Sequence, residues 1–206
     1  MRRDSRTILL KAGVWAACLT PFGLLAYRAA TGGLGANPIE FITHRTGFWC
    51  LTLLVVTLSI TPVRRITGWN GLVRYRRLVG LFSFFYGLLH FLTYLVLDQF
   101  FDWSAIAADI LKRPYITVGF TAFLILLLLA LTSPRAAVRR LGRRWQTIHR
   151  LIYAAAGLAV LHFYWKRSAK NDIFDPLIFA ALVAILLAAR IPTWLKKRRS
   201  HPPISH

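Results

Sequence analysis

The sequence predicts an all-α integral membrane bundle of six transmembrane helices with both termini cytoplasmic. Three observations predict it. Hydrophobic residues make up 56% of the 206 positions. At roughly 20 apolar residues per helix, that supplies about six spans and leaves almost nothing for a soluble domain. Runs free of Asp, Glu, Lys and Arg recur along the whole chain. The basic residues are unevenly divided between alternate loops. This composition excludes a disordered chain, which needs low hydrophobicity, and a secreted disulfide scaffold, which needs many cysteines.

The charge-free runs are Ala12–Tyr27, Thr46–Val63, Leu78–Leu97, Pro114–Pro134, Leu151–Trp165 and Pro176–Ala189. Charged residues at helix ends can snorkel to the headgroups. With that allowance the helices extend to about 9–28, 44–62, 77–97, 114–133, 146–166 and 174–191, and 192–206 is a basic cytoplasmic tail. Arg2, Arg3 and Arg6 before the first apolar run resemble a secretory or twin-arginine signal. No convincing small-residue cleavage site precedes Tyr27-Arg28, although Ala29-Ala30 follow, and the segment reads as a retained first helix. Pro38, Pro62, Gly68, Gly71, Pro114, Pro134 and Pro176 mark the joints. Tyr27, Trp49, Trp69, Trp103, Trp165 and Trp194 fall near the ends of the spans, as an aromatic belt does. No internal repeat is evident.

Orientation follows from the loops. The N-terminus, the second loop, the fourth loop and the tail hold twenty of the 27 basic residues, and six of the seven acids lie on the other side. The positive-inside rule therefore puts both termini in the cytoplasm. A net charge of +20 in a soluble protein suggests nucleic acid. Here the bases sit between apolar runs, so the partner is membrane lipid and no nucleic acid is expected. Cys18 and Cys50 lie inside apolar runs without a CxxC pairing and read as small buried hydrophobes.

His44, His90, His149 and His162 lie in or beside apolar helices, whereas His201 and His206 are in the tail. An ionisable side chain in a span is costly and marks a functional site, although a lone His can also hydrogen-bond across helices for packing. Depth favours function for two of them. His90 stands ~18 Å from the cytoplasmic end of its helix, and His162 ~20 Å beyond His149, at 1.5 Å per residue. His90 and His162 then share one level in the outer half. Two neutral imidazoles at one level on two parallel helices suit the axial positions of a haem iron. Zinc would want four ligands, and no acid lies at that depth.

His149 is the second candidate metal ligand. It faces a layer containing Arg74, Arg76, Arg77, Arg143, Arg144 and Arg150. That layer suits haem propionates or a flavin phosphate, or it is only the topology signal. Thirteen residues leave His149 and His162 about 140° apart around a regular helix, so two centres on this helix need different approach faces. Arg77, not a histidine, stands thirteen residues before His90. His44 could touch the outer cofactor, bind a quinone or cap a loop.

Several short motifs occur in order: Gly32-Gly33-Leu34-Gly35-Ala36-Asn37-Pro38, Thr46-Gly47, Ile60-Thr61-Pro62, Arg76-Arg77-Leu78-Val79-Gly80-Leu81, Arg113-Pro114-Tyr115, Leu131-Thr132-Ser133, Leu141-Gly142 with Trp145, Gln146 and His149, and His162-Phe163-Tyr164-Trp165. Together they resemble the MsrQ (formerly YedZ) family over roughly residues 30–190. These are haem-binding membrane subunits of bacterial methionine sulfoxide reductase systems, in the ferric-reductase-like transmembrane superfamily. The resemblance implies haem b and FMN as cofactors and the bacterial inner membrane as location. It implies electrons drawn from the quinone pool or a cytosolic flavin reductase. They would go to MsrP, the periplasmic molybdopterin methionine sulfoxide reductase catalytic subunit, for repair of oxidised envelope proteins. His90, His149 and His162 fall on the family's histidine positions, and Arg77 stands near the fourth position that oxidase-like relatives fill with histidine. The cofactor-binding set is then His90, His162, His149, Arg77, Arg74 and Arg144.

The sequence holds no Ser/His/Asp set, HExxH, Walker A or GxGxxG, so no sulfoxide-reducing site is expected in this chain. A His-dependent proton-coupled transporter and a non-redox membrane scaffold are the other classes. A transporter would show acids inside helices and broken-helix repeats, whereas the aspartates lie at ends and loops.

Overall fold

The computed structural model describes residues 5–190, and every regular element among them is helical. Arg2, Arg3, Trp194, His201, His206 and the rest of the basic tail lie outside the described residues. Helix α1 runs Ser5–Ala30, α2 Pro38–Thr67 and α3 Val73–Leu92, which continues as a π-helical segment, Thr93–Asp98. Then come α4 Trp103–Lys112, α5 Pro114–Leu131, α6 Arg135–Leu141, α7 Arg143–His149, α8 Ile152–Ser168 and α9 Phe174–Ala188. Thr7–Ala30, Pro38–Thr67, Asn70–Asp98 and Pro114–Leu131 are long and apolar enough to cross a bilayer, which makes this a multi-pass membrane protein. α8 has 17 residues and α9 has 15.

Local chemistry sets the ends. Asn37 caps α2 by accepting from the Glu40 N–H at 3.2 Å, with Pro38 in the first turn where its missing N–H costs nothing. Gly68 closes α2 at φ +69, donating to the Arg64 carbonyl. Asp102 caps α4 by accepting from the Ala105 N–H. α4 had no counterpart in the sequence reading, because ten residues between two spans pass for a loop when only charge-free runs are counted. The fifth predicted helix, 146–166, is instead two pieces, α7 and α8, joined by a turn at Arg150-Leu151.

Pro21 lies inside α1, where it supplies no backbone N–H. Beside it the Tyr86 hydroxyl, from α3, accepts from Phe22 N at 3.0 Å and donates to Cys18 O at 2.7 Å. In an apolar surround an unpaired backbone group costs several kcal/mol, so a side chain that pairs with helix backbone there ties α3 to α1.

The bundle is built from two helix pairs, α2 with α3 and α5 with α8, with α1 on the outside of α3 and α9 against α8 and α2. One apolar cluster joins Leu54, Leu58, Leu126, Leu129, Ile152, Ala155, Ala156 and Val183. A second joins Cys18, Leu53, Val79, Phe82 and Tyr86. Ala155 and Ala156 are fully buried, and such small residues let helix backbones approach closely in a membrane. Both clusters lie toward the end of the bundle that carries Arg64, Arg65, Arg74, Arg76 and Arg77, here the basic end. The opposite, acidic end carries Glu40, Asp98, Asp109, Asp172 and Asp175, and there the helices splay around a cavity.

Candidate functional site: a two-histidine cavity

The cavity measures about 830 Å³ and is lined by residues of α2, α3, α4, α5 and α8. His90 and His162 face each other across it. Their ring centres are 6.0 Å apart and their planes stand at 81°.

Each imidazole is seated in the same way. The His90 Nδ1 lies 2.9 Å from the Thr43 carbonyl of α2, and the His162 Nδ1 lies 2.7 Å from the Tyr115 carbonyl of α5. A carbonyl only accepts, so each Nδ1 carries the proton and Nε2 is left with its lone pair. One turn beyond each carbonyl stands a glycine. A Cβ on Gly47 would meet His90 Nδ1 at 3.0 Å, and a Cβ on Gly119 would meet His162 Nδ1 at 2.5 Å. Both rings therefore rest on bare helix backbone.

The two seats form a repeat: Thr43, Gly47 and His90 recur as Tyr115, Gly119 and His162, each 72 residues on. Sequence reading assigned Gly47 and Tyr115 to motifs without a role and missed Gly119 altogether. The signal was present: Gly47-Phe48 and Gly119-Phe120, Pro62 and Pro134, His90-Phe91 and His162-Phe163 share that offset. It is invisible to a search for similar segments because few other positions agree.

The lining is strongly graded. Toward the basic end it consists of Cys50, Leu51, Gly87, Ala122, Phe123 and Leu126, and toward the acidic end it carries Arg45, Arg113, Lys166 and Arg167 together with Glu40, Asp98, Asp175 and His44. His44 stands at this mouth, its Nε2 3.8 Å from Glu40, which also pairs with Lys170. Trp103, Ile106 and Ile110 bring α4 over the cavity. The Tyr94 hydroxyl and Arg113 both bind Asp109, tying α4 to the π-helical segment and to α5.

The other candidates lie elsewhere. His149 is half-buried near the basic end, stacked on Trp145 with centroids 4.1 Å apart, and its Nε2 lies 3.1 Å from the Thr132 hydroxyl. Trp145 donates to the Thr132 carbonyl, so one residue anchors both rings. Arg77 and Arg144 are exposed. Arg74 reaches the Thr7 hydroxyl at 3.4 Å, beside a small cavity of about 200 Å³ lined by Thr7, Lys11, Arg74, Tyr75 and Leu78. None of these residues lines the two-histidine cavity.

Fold and site define a class: a multi-pass helical membrane protein with two imidazoles facing across an intramembrane cavity. A family model described as "Ferric reductase like transmembrane component" matches residues 46–160. The chain is 51% identical to a protein of Herminiimonas arsenicoxydans over 93% of its own length and 88% of that protein's. It is 50% identical to one of Rhodospirillum rubrum over 95% and 93%, and 49% identical to one of Ralstonia nicotianae over 88% and 84%. All three carry the name "Protein-methionine-sulfoxide reductase heme-binding subunit MsrQ". The chain belongs to this MsrQ family of ferric-reductase-like membrane proteins.

Proposed function

We propose that the protein binds haem b between His90 and His162 and serves as the membrane electron-transfer subunit of a methionine sulfoxide reductase system. The observation that carries this is the pair of imidazoles. At a metal–nitrogen bond of ~2.0–2.1 Å, two imidazoles on opposite sides of one metal have ring centres about 6 Å apart, and here the separation is 6.0 Å. Nδ1–H donation to a backbone carbonyl is the arrangement that fixes the tautomer of a metal-bound histidine. Among the described residues no three His, Cys, Asp or Glu side chains converge, so the remaining coordination positions suit a ligand that brings its own, as a porphyrin does. A cavity of about 830 Å³ falls in the range of cofactor sites.

Haem iron, when bound, supplies one-electron chemistry. The chain's own residues do the rest. Thr43 and Tyr115 hold the two imidazoles as ligands, Gly47 and Gly119 set their position, and the apolar floor keeps water from the metal. The buried surround and the two histidines would then set the potential of the bound group.

The six apolar segments are the six spans, with both termini in the cytoplasm, so that the acidic end faces the periplasm of the inner membrane. The partner there is the molybdopterin subunit MsrP, and the donor is the quinone pool or a cytosolic flavin reductase. An inner centre at His149, with Arg74, Arg77 and Arg144 as anion partners, and FMN complete the proposal. The small cavity at Arg74 lies below the ~300–1,000 Å³ of sites that enclose a whole ligand, so it suits a phosphate and not an isoalloxazine ring.

The test is spectroscopic. Purified protein should show a sharp reduced-minus-oxidised absorption band, and His90→Ala or His162→Ala should each abolish it. A full haem complement and an unchanged spectrum in either variant would show that the two do not share one iron.

A further inference from the structure

The mouth of the cavity carries the cations Arg45, Arg113, Lys166 and Arg167 together with the acids Glu40, Asp98 and Asp175. Arg113 is paired with Asp109 at 3.1 Å, and one terminal nitrogen of Arg167 is paired with Asp172 at 2.8 Å and with Asp175 at 3.7 Å. Lys170, which lies just beyond the lining, binds Glu40. Arg45 and Lys166 line the mouth and, among the described residues, have no carboxylate partner. Each is instead laid over an aromatic ring, Arg45 over Phe41 and Lys166 over Tyr115. In addition the Nε of Arg167 is buried with no hydrogen-bond partner, although the side chain lines the same mouth. A buried guanidinium N–H without an acceptor is costly and points to an anion that belongs there.

We infer that Arg45, Lys166 and Arg167 form a carboxylate-binding rim that takes the two propionates of the haem, so that the porphyrin stands with its acidic edge toward the acidic end of the bundle. The inference rests on the haem reading above. His90 and His162 face each other across the bundle, so a porphyrin between them stands edge-on along the helix axes. One edge must then point into the floor and the other into the mouth. The floor offers two carboxylates only Cys50, Leu51, Gly87, Ala122, Phe123 and Leu126, with no cation among them. The mouth offers Lys166 and Arg167 four and five residues beyond His162, about 6 and 7.5 Å along α8. Tyr115 ties the two functions together. Its carbonyl holds His162 and its ring carries Lys166. Arg74, Arg77 and Arg144 are outside this lining, so the inner arginine layer does not serve this haem's propionates. The propionate edge would be the part of the cofactor nearest an acceptor docked on the acidic end.

The experiment uses the full-length, haem-loaded protein and the variants Arg45→Gln, Lys166→Gln and the two combined. Lys112→Gln, a cation of α4 outside the cavity, controls for net charge. Resonance Raman of the purified proteins reads the propionate bending modes, and transfer to excess apomyoglobin reads haem release. The rim variants should shift the propionate modes, lower the midpoint potential and quicken haem release roughly fivefold per cation removed, as for a partly exposed ion pair. Lys112→Gln should do none of these. If the double variant loses its haem, the pair Arg45→Lys with Lys166→Arg decides: restored haem supports the rim, and continued loss shows a packing role and overturns it. Unmoved propionate modes in the rim variants would mean that Arg45 and Lys166 meet lipid headgroups instead, and the inference would fall. Wild-type protein without a two-histidine haem spectrum would sink the haem reading itself, which separates the two failures.

Discussion

Gly119→Ala is the sharpest single perturbation of the site. A Cβ there would stand 2.5 Å from His162 Nδ1, 2.8 Å from Cε1 and 3.0 Å from Cγ. Carbon-to-atom contacts are most favourable at about 3.5–4.0 Å, so the ring must retreat by about 1 Å. It has no free direction, because Nδ1 is held to the Tyr115 carbonyl one turn away on the same helix as the new methyl. Retreat breaks that hydrogen bond, and loss of such an outer partner typically weakens metal binding by about 10–100-fold. Gly47→Ala is the milder counterpart, since its Cβ would stand 3.0 and 3.1 Å from His90 and a shift of a few tenths of an ångström relieves it. Gly157→Ala, on α8 with nothing within 4 Å, is the control. The haem-to-protein ratio and the reduced-minus-oxidised band of protein purified in detergent should fall in the order Gly157→Ala, Gly47→Ala, Gly119→Ala, the first unchanged and the last nearly empty. All three should keep the helical circular dichroism of the parent. A Gly119→Ala protein with a full complement and an unshifted band would refute the idea that the ring is seated on bare backbone.

Two other substitutions probe parts of the molecule away from that cradle. His149→Ala should leave the band of the two-histidine haem in place yet slow its reduction by a donor on the basic side, with reduction by dithionite as control; equal rates would reduce His149 to a packing residue. Tyr86→Phe removes both the donor to Cys18 O and the acceptor for Phe22 N, and should cost about 1–3 kcal/mol. Thermal unfolding in detergent would show it, and an unchanged midpoint would mean that the backbone at Cys18 and Phe22 finds other partners.

The long helices were legible because a membrane span is specified by composition alone, and charge-free runs in this chain mark its core well. Their ends were less so. α2 begins at Pro38, well ahead of the expected start, because Asn37 and Pro38 cap it regardless of the charges that follow. The break at Arg150-Leu151 was not visible, since nothing in that stretch is a glycine or proline. The pairing of His90 with His162 could be read from helix direction and rise. The seats could not, because a backbone carbonyl has no letter in a sequence and a glycine in a span is usually a packing residue. The cations without a carboxylate partner could not be singled out for a related reason. Lys166 and Arg167 fell in a loop assigned by charge counting to the side poor in bases, and no count distinguishes a paired arginine from one with an idle Nε.

The two ends of the bundle differ in kind, and this bears on how electrons could cross it. At the acidic end two equivalent arms, 72 residues apart, present the same imidazole on the same kind of seat. At the basic end that equivalence lapses, with Arg77 on one arm and His149 on the other, and His149 engaged by Trp145 and Thr132. Between them lies the apolar cluster of Leu54, Leu58, Leu126, Leu129, Ile152, Ala155 and Ala156. From Ile152 to His162 the rise along α8 alone is about 15 Å. A haem held between His90 and His162 as proposed would therefore be near an acceptor on that face and far from a donor on the other. The same packing that holds the histidines at one level creates the gap, and on the proposed function a donor on the basic side would cross it through the second centre proposed at the Arg77–His149 level.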